Sequence, residues 1–323
     1  MTEMMKIKAG IVILNYNSYE YTIKCVKSIL EKSNTCKSII YIVDNASTDG
    51  SFIRLRDNYA GAKDVRVLKS KQNGGYSYGN NIGIRCAVHD GAEYIFIVNP
   101  DTCLINDAVS HMVHALAENP DTGAVGPKLV QPDGNGQIAR TYYTFSKAVF
   151  SKKPFCFFMP PGKMMQRDLQ WHGKGQFKFN GMVAGCFFAL RAADFCKIGL
   201  FDEDFFLYNE EDVIAYKLRE IGKKSMIVPD ALVYHDHAAV TKKKGSAFIY
   251  YHYRISEFLL LCKYAKAGII QKACIFILNM VWFVLFSIKE KEARKYVRRL
   301  FHIYRAICRG EFGRANEAIL QKK

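Results

Sequence analysis

IIYIVDNASTDGS, residues 39–51, opens with five β-branched or aromatic residues in a row and closes on Asp44, Asn45 and a run of small polar residues. So short an apolar run, rich in branched side chains and followed by turn chemistry, predicts a strand buried on both faces. The same grammar recurs at AGIVILN (9–15), VRVL (65–68) and YIFIVN (94–99), with helix-length segments at 20–32, 49–59, 77–90 and 107–118 between and after them. Strand and helix in alternation predict an α/β fold, a mostly parallel, Rossmann-like sheet flanked by crossover helices. Asp49 and Asp107 read as helix N-caps, and Gly91 and Gly123 as helix exits. Polar residues then collect where the strands end, which is where an open α/β sheet binds its ligand.

Periodicity fades between Pro127 and Phe179, in PDGNGQ and KKPFCFFMPPGK, which predicts an irregular insertion. It resumes with a strand at 182–190, a helix from about Ala192, a helix over 210–221, and short strands at 225–228 and 232–234. Beyond Lys244 the chain turns helical, basic and aromatic. The expected organisation is an α/β unit over 1–241, divided near 128/129, followed by a helical region over 242–323.

The formal charge of +16 is unevenly spread: residues 242–323 carry 18 Lys and Arg against 5 Asp and Glu, so the first 241 residues are nearly neutral. That distribution argues against a nucleic-acid binder, whose basic residues would interleave with aromatics over the main domain. Ten cysteines at irregular spacing, with no CxxC pair, read as reduced, packed thiols in a cytosolic setting. The mixed, short N-terminal stretch does not read as a signal peptide.

Each polar cluster has a chemical and a structural reading. Asp44, with Asn45 beside it, can accept the imide N–H of a pyrimidine, or can cap the helix that follows. Asn73-Gly74-Gly75 precedes a helix, and glycines there permit close approach of backbone to phosphate; neither a P-loop nor GxGxxG is present. Asn80 and Asn81 fall on the first turns of that helix, either reaching ribose or base or forming ordinary helix surface. Asp101, stiffened by Pro100, either closes a turn or offers one carboxylate to Mg²⁺ or Mn²⁺ held largely by substrate phosphates. Glu210-Glu211-Asp212 stack three acids on a helix start, more than dipole complementarity requires, which leaves a general base among them. His235 and His237 alternate around Asp236, and either could be a metal ligand.

Taken together, IVILNYN (11–17), VDNASTDGS (43–51), NGGYSYGNNIGI (73–84), NPDT (99–102), VGPKL (125–129), GLFDEDFFLYNEED (199–212) and the His235 position resemble family-2 glycosyltransferases of the GT-A fold, specifically the rhamnosyltransferase-like branch of bacterial surface-polysaccharide synthesis. The resemblance spans about residues 9–240 and makes the unit over 1–241 catalytic, with a nucleotide-binding half to about 128 and an acceptor-side half from 129. It implies an inverting transfer of a sugar, rhamnose first among the guesses, from a dTDP- or UDP-linked donor to a hydroxyl of a glycan or lipid-linked glycan. By the same resemblance Asn15 and Asn17 flank the nucleotide, Asp44 holds the base, and Asn73 to Gly75 line the pocket. Asp101 is the last acid of a DxD motif whose first acid is here Asn99, and His235 contacts metal or diphosphate. Glu211 is the base, with Glu210 as the alternative. Val213 and Lys217 stand where the family carries Asp and Arg, and Ala238 where it carries Gly.

A sugar nucleotidyltransferase would carry a glycine-rich basic loop after the first strand, which AGIVILNYNSYE lacks. At the other end, Cys274–Ile288 is apolar but spans only about 22 Å, short of the roughly 30 Å hydrocarbon core. Ala293, Val297, Leu300, Phe301, Tyr304, Ile307 and Cys308 share a helix face opposite Lys295, Arg298, Arg299, Arg305 and Arg309, the pattern of a helix lying in a membrane interface. The expectation is a cytoplasmic enzyme, peripheral on the inner face of the membrane; packing of this region against the catalytic domain or in a homodimer is the alternative.

Overall fold

The computed structural model describes residues 8–33, 35–131, 139–150, 168–169, 175–236 and 245–313. The first half alternates as expected: β1 (Lys8–Asn15), α1 (Tyr19–Lys32), β2 (Lys37–Asp44), α2 (Ser51–Asn58), β3 (Val65–Lys69), α3 (Gly75–His89), β4 (Tyr94–Val98), β5 (Thr102–Leu104), α4 (Ala108–Glu118) and β6 (Thr122–Val130). Strands β3, β2, β1 and β4 lie side by side, all parallel. In β1, β2 and β4 the central Ile, Val, Phe and Tyr side chains are buried on both faces, which is why these runs lack polar alternation, while the edge strand β3 is only partly covered.

Asp107 does cap α4, accepting from the Ser110 N–H at 3.2 Å. Asp49 instead accepts from Ser51 just ahead of α2, whose N-cap is Gly50 at φ +79°. Gly91, at φ +81°, closes α3 as read. Gly123 is no helix exit: it lies within β6, where a Cβ would come within 2.6 Å of Leu218.

After β6 come β7 (Ala139–Thr141), α5 (Phe145–Phe150), β8 (Asp168–Leu169), β9 (Phe177–Phe179), β10 (Gly181–Val183), β11 (Phe187–Arg191), α6 (Ala192–Lys197), α7 (Glu210–Glu220) and β12 (Lys224–His235). The expected strand at 182–190 is two strands: β10 joins β7 and β8 in a small sheet, while β11 enters the main one. There β11 runs antiparallel to both β4 and β6, extending the order to β3-β2-β1-β4-β11-β6-β12-β5. The two short strands expected near 225 and 232 form one, β12, whose register shifts between Val228 and Leu232. Pro229 cannot donate to the ladder, and the irregularity absorbs it.

The C-terminal region is an annex of α8 (Ser246–Lys263), α9 (Ile269–Lys289) and α10 (Arg294–Cys308). Its core also takes in Tyr143, Phe205, Val213 and Tyr216 from the sheet-bearing part. A buried polar network ties the three helices: Arg254 pairs with Glu257 at 2.8 Å, Asn279 donates to Glu257 and Tyr304, and the Tyr304 hydroxyl donates to the Arg254 carbonyl. The residue boundary at 241/242 falls outside the described residues.

Two expectations about the annex change. The Cys274–Ile288 run belongs to a 21-residue helix, about 32 Å long, which by length and composition alone is long and apolar enough to cross a membrane. The apolar stripe of α10 is not free: Leu300, Tyr304 and Ile307 are buried in the annex core, and only Phe301 and Cys308 of the stripe are exposed. Neighbouring helices satisfy that stripe, so the amphipathic pattern reflects packing.

Candidate active site

The C-terminal ends of β1, β2 and β4 converge on one side of the sheet. Asn15 and Asp44 are register partners at the ends of β1 and β2. Asn15 Nδ2 donates to Asp44 Oδ2 at 2.8 Å, its Oδ1 accepts from the Thr22 hydroxyl, and Asp44 Oδ1 accepts the Ser47 N–H at 3.0 Å. Both side chains are fully buried. Asn17, at φ +52°, accepts the Thr48 N–H. These three residues brace the floor of the site. Asp44 caps no helix, since α2 opens only at Ser51; its turn with Ser47 is what orients the next residue.

That next residue, Asn45, faces a cavity of about 870 Å³. Its Nδ2 donates to Asn73 Oδ1 and to the Gly75 carbonyl, and its own Oδ1 is buried without a hydrogen-bond partner. Asn73 and Gly75 also line the cavity, whereas Gly74 does not. Gly75 serves a different contact from the one expected. At φ +88° it lies so close to Phe206 that a Cβ would meet the Phe206 carbonyl at 2.3 Å, and that carbonyl already accepts the Tyr76 N–H. The close approach is to the chain's own backbone.

Asn80 and Asn81 do not reach the cavity. Asn80 donates to the Tyr76 carbonyl, and Asn81 binds Phe201 N–H, Phe201 C=O and Glu203. The helix turn points both away from the sheet edge, and Asn81 ties α3 to the 199–206 loop.

At the end of β4, Asn99, Pro100 and Asp101 all line the cavity. The Asn99 N–H bonds to the Cys186 carbonyl, and its C=O accepts from the Thr102 amide and hydroxyl, turning the chain into β5. Antiparallel pairing of β5 with β12 sets Thr102 opposite His235, and the Asp236 N–H bonds to the Asp101 carbonyl. His235 Nε2 thereby comes within 3.6 Å of Asp101 Oδ1, both side chains being 9% exposed. Burial opposes a charged imidazole, but Asp101 and Cys186 outweigh it and lift the His235 pKa to about 10. His237 lies outside the described residues.

Asp101 Oδ1 is buried without a hydrogen-bond partner. Asp101, which lines the cavity, could give one carboxylate oxygen to a hard divalent cation that draws its other ligands from phosphate and water, and His235 would join it only by giving up its proton. Among the described residues no group of three or more His, Cys, Asp or Glu side chains is assembled that could hold a metal alone. Asn99 in place of an acid is consistent with that sparse donor set.

The acidic turn approaches from the other side. Tyr208 and Asn209 both adopt positive φ, +74° and +63°, and deliver Glu210, Glu211 and Asp212 into the first turn of α7. Two such non-glycine residues in succession store backbone strain of about 1–3 kcal/mol each. Glu211 packs against Gly185, where a Cβ would fall 1.8 Å from Glu211 Oε1. Between the two sides stands Tyr76, whose hydroxyl donates to the Gly185 carbonyl at 3.1 Å and lies 3.4 Å from Asn99 Oδ1. Burial and the nearby Glu211 and Glu210 push its pKa well above the usual value, so it stays a proton donor. Neither glutamate is among the cavity-lining residues.

Where the resemblance implies an Asp, Val213 is buried in the core shared with the annex; where it implies an Arg, Lys217 donates to the Leu200 carbonyl at 2.8 Å and anchors the 199–206 loop. Tyr76 was legible only as part of NGGYSYG. Phe206 was read only as part of GLFDEDFFLYNEED and Lys295 only as part of a basic helix face, while Phe248, Glu292 and Tyr296 of the annex carried no motif.

A sheet of this order, with an asparagine-glycine turn and an NPD turn lining one cleft and an acidic helix start behind its wall, is that of a glycosyltransferase of the GT-A type. The chain belongs to the family described as glycosyl transferase family 2, whose model matches residues 10–192. It is similar to N-acetylglucosaminyl-diphospho-decaprenol L-rhamnosyltransferase of Mycobacterium tuberculosis, 25% identical over 234 residues, covering 68% of this chain and 74% of the relative. It is also similar to the low-salt glycan biosynthesis hexosyltransferase Agl10 of Haloferax volcanii, 23% identical over 90% of this chain and 88% of the relative. Among solved structures, the mannosyltransferase PcManGT of Pyrobaculum calidifontis, in complex with GDP-Man and Mn²⁺, aligns over 98% of this chain and 88% of its own at a TM-score of 0.52 and 14% identity. GalNAc-T7 with UDP, GalNAc and Mn²⁺ aligns over 72% of this chain and 44% of its own, at a TM-score of 0.56 and 17% identity. At such identities the structures speak to the fold, which is the GT-A fold expected.

Proposed function

We propose that this chain is an inverting glycosyltransferase that moves a sugar, rhamnose first among the candidates, from a dTDP- or UDP-linked donor to a hydroxyl of a lipid-linked glycan. The observation that carries this reading is Asp101 in the wall of the cleft with His235 packed behind it, and Glu211 packed on Gly185, whose carbonyl accepts from the cleft residue Tyr76. The name of the mycobacterial relative, which specifies a decaprenol-linked acceptor and L-rhamnose, supports the acceptor class and the sugar.

In this reading Asn45, Asn73 and Gly75, tied together by hydrogen bonds, line the pocket for the donor nucleoside, with Asp44, Asn15 and Asn17 holding that turn in shape. Asp101 would hold Mg²⁺ or Mn²⁺, joined by His235 once the imidazole has released its proton to solvent, and the ion would offset the charge of the diphosphate. Glu211 takes the proton of the acceptor hydroxyl; Glu210 is the alternative base. The protonated Tyr76 hydroxyl keeps Asn99 and the Gly185 backbone at a fixed spacing between donor and base. A single base facing one side of the reacting carbon favours one displacement, and hence inversion. Such an enzyme would work at the inner face of the cytoplasmic membrane, where lipid-linked acceptors and sugar nucleotides meet.

The test is donor hydrolysis by the purified full chain with Mg²⁺ or Mn²⁺ over UDP-, dTDP- and GDP-sugars, read as released nucleoside diphosphate. Release from one donor, lost in Asp101→Ala, supports the reading; no binding of any of these nucleotides would overturn it.

A further inference from the structure

The helix α9 keeps one apolar face outside the protein. Ile270, Ile277, Val281, Val284 and Ile288 recur at helical spacing and are 85, 60, 50, 41 and 62% exposed, and no charged side chain interrupts that face between Ala273 and Ile288. A contiguous exposed apolar stripe marks an interaction surface. The opposite face is committed: Ile275, Asn279 and Phe283 are buried, and Asn279 donates to Glu257 and Tyr304 of the neighbouring helices. Encircling α9 with lipid would break those bonds, so a spanning arrangement is disfavoured despite its length.

The neighbouring helix supplies the charge. Phe301 of α10 is exposed and meets Phe276 of α9 edge to face at 5.6 Å, on the flank of α9 between its exposed stripe and its buried face. Arg298 and Arg305 flank Phe301 one turn to either side, the latter with its guanidinium 5.8 Å from the ring. Residues 269–309 hold nine Lys and Arg against two Glu. An apolar ridge beside a cationic row matches an anionic bilayer surface, acyl region against the ridge and headgroups against the arginines. A second copy of this chain would bring two cationic rows together and is the poorer occupant.

We infer that the exposed face of α9, with Phe301, Arg298 and Arg305 of α10, docks the protein on an anionic phospholipid surface. Helix α10 also contributes Lys295 and Tyr296 to the cavity wall, so docking there would bring the cavity close to the membrane. The surface goes beyond the sugar-transfer reading, and its test does not depend on that reading.

The experiment is co-sedimentation of the full chain with vesicles of phosphatidylcholine alone or mixed with phosphatidylglycerol, for wild type, Ile277→Glu/Val281→Glu and Arg298→Glu/Arg305→Glu. Wild type is expected to sediment with the anionic vesicles only, each double variant to lose at least about tenfold in partitioning, and donor hydrolysis in solution to stay unchanged. If the apolar-face variant fails to fold, judged by circular dichroism, the arginine variant decides. Wild type left in the supernatant, folded variants that partition like wild type, or a wild-type dimer that Ile277→Glu/Val281→Glu dissociates would each overturn the inference.

Discussion

Asp101 Oδ1 and His235 Nε2 lie 3.6 Å apart because β5 and β12 pair antiparallel, and neither residue's local sequence brings the other near. The pairing sets a cleft-lining carboxylate against a buried imidazole.

Replacing either partner should therefore cost metal-supported turnover. Asp101→Asn and His235→Ala are each expected to lower donor hydrolysis by about 10²–10³-fold, the usual cost of removing one electrostatic contact to a reacting centre. Mn²⁺ titration in the presence of nucleoside diphosphate should show weakened metal binding in both. Unchanged Mn²⁺ affinity in Asp101→Asn would remove this residue from the metal site.

Glu211 and Gly185 should fail together. Glu211→Gln is expected to lower kcat by about 10²–10⁴-fold with donor affinity unchanged, as for loss of a general base. Gly185→Ala, whose Cβ would strike Glu211 Oε1, should displace the carboxylate and depress kcat while leaving nucleotide binding intact. Wild-type kcat in Gly185→Ala would show that the base lies elsewhere.

Gly75→Ala is expected to destabilise the fold by about 1–3 kcal/mol, since φ +88° is unfavourable for any side chain and the Phe206 carbonyl leaves no room. Thermal unfolding gives the loss, and nucleotide affinity should fall with it because Asn45 donates to the Gly75 carbonyl. A melting temperature equal to wild type would mean that the turn has an alternative conformation.

The annex should loosen first in acid. Burial disfavours the Asp202 carboxylate, yet Lys263 and Tyr264, both from the annex side, bond to it and hold its pKa below the ordinary value. Stability from this pair is complete above the unfolded pKa of about 3.9 and is lost as pH falls through the lower folded value. Hydrogen exchange between pH 6 and pH 3 should show α8 to α10 losing protection before β1 to β4, and Lys263→Ala should leave the annex less protected already at pH 6 with a smaller further loss in acid. Simultaneous loss across the molecule would contradict it.

The amino-acid order alone determined the elements governed by local physics. Four β-branched residues and Tyr41 before Asp44 favour a strand from local preference alone, Asp107 caps its own helix through an amide three residues on, and the ordered motifs from IVILNYN to NEED carried the family. Tertiary structure decided what depends on distant partners. Strand β11 entered antiparallel between β4 and β6, which no periodicity encodes, since alternation is the same in either direction. Asn81 spent its hydrogen bonds on Phe201 and Glu203 because the 199–206 loop folds over α3. The amphipathic pattern of α10 was read correctly as a stripe, but a stripe does not say what covers it: α8 and α9 did, and it is α9 whose apolar face remains outside. Backbone propensity and periodicity act within a few residues, whereas strand direction, register and the choice of buried face are settled by the free energy of the whole core.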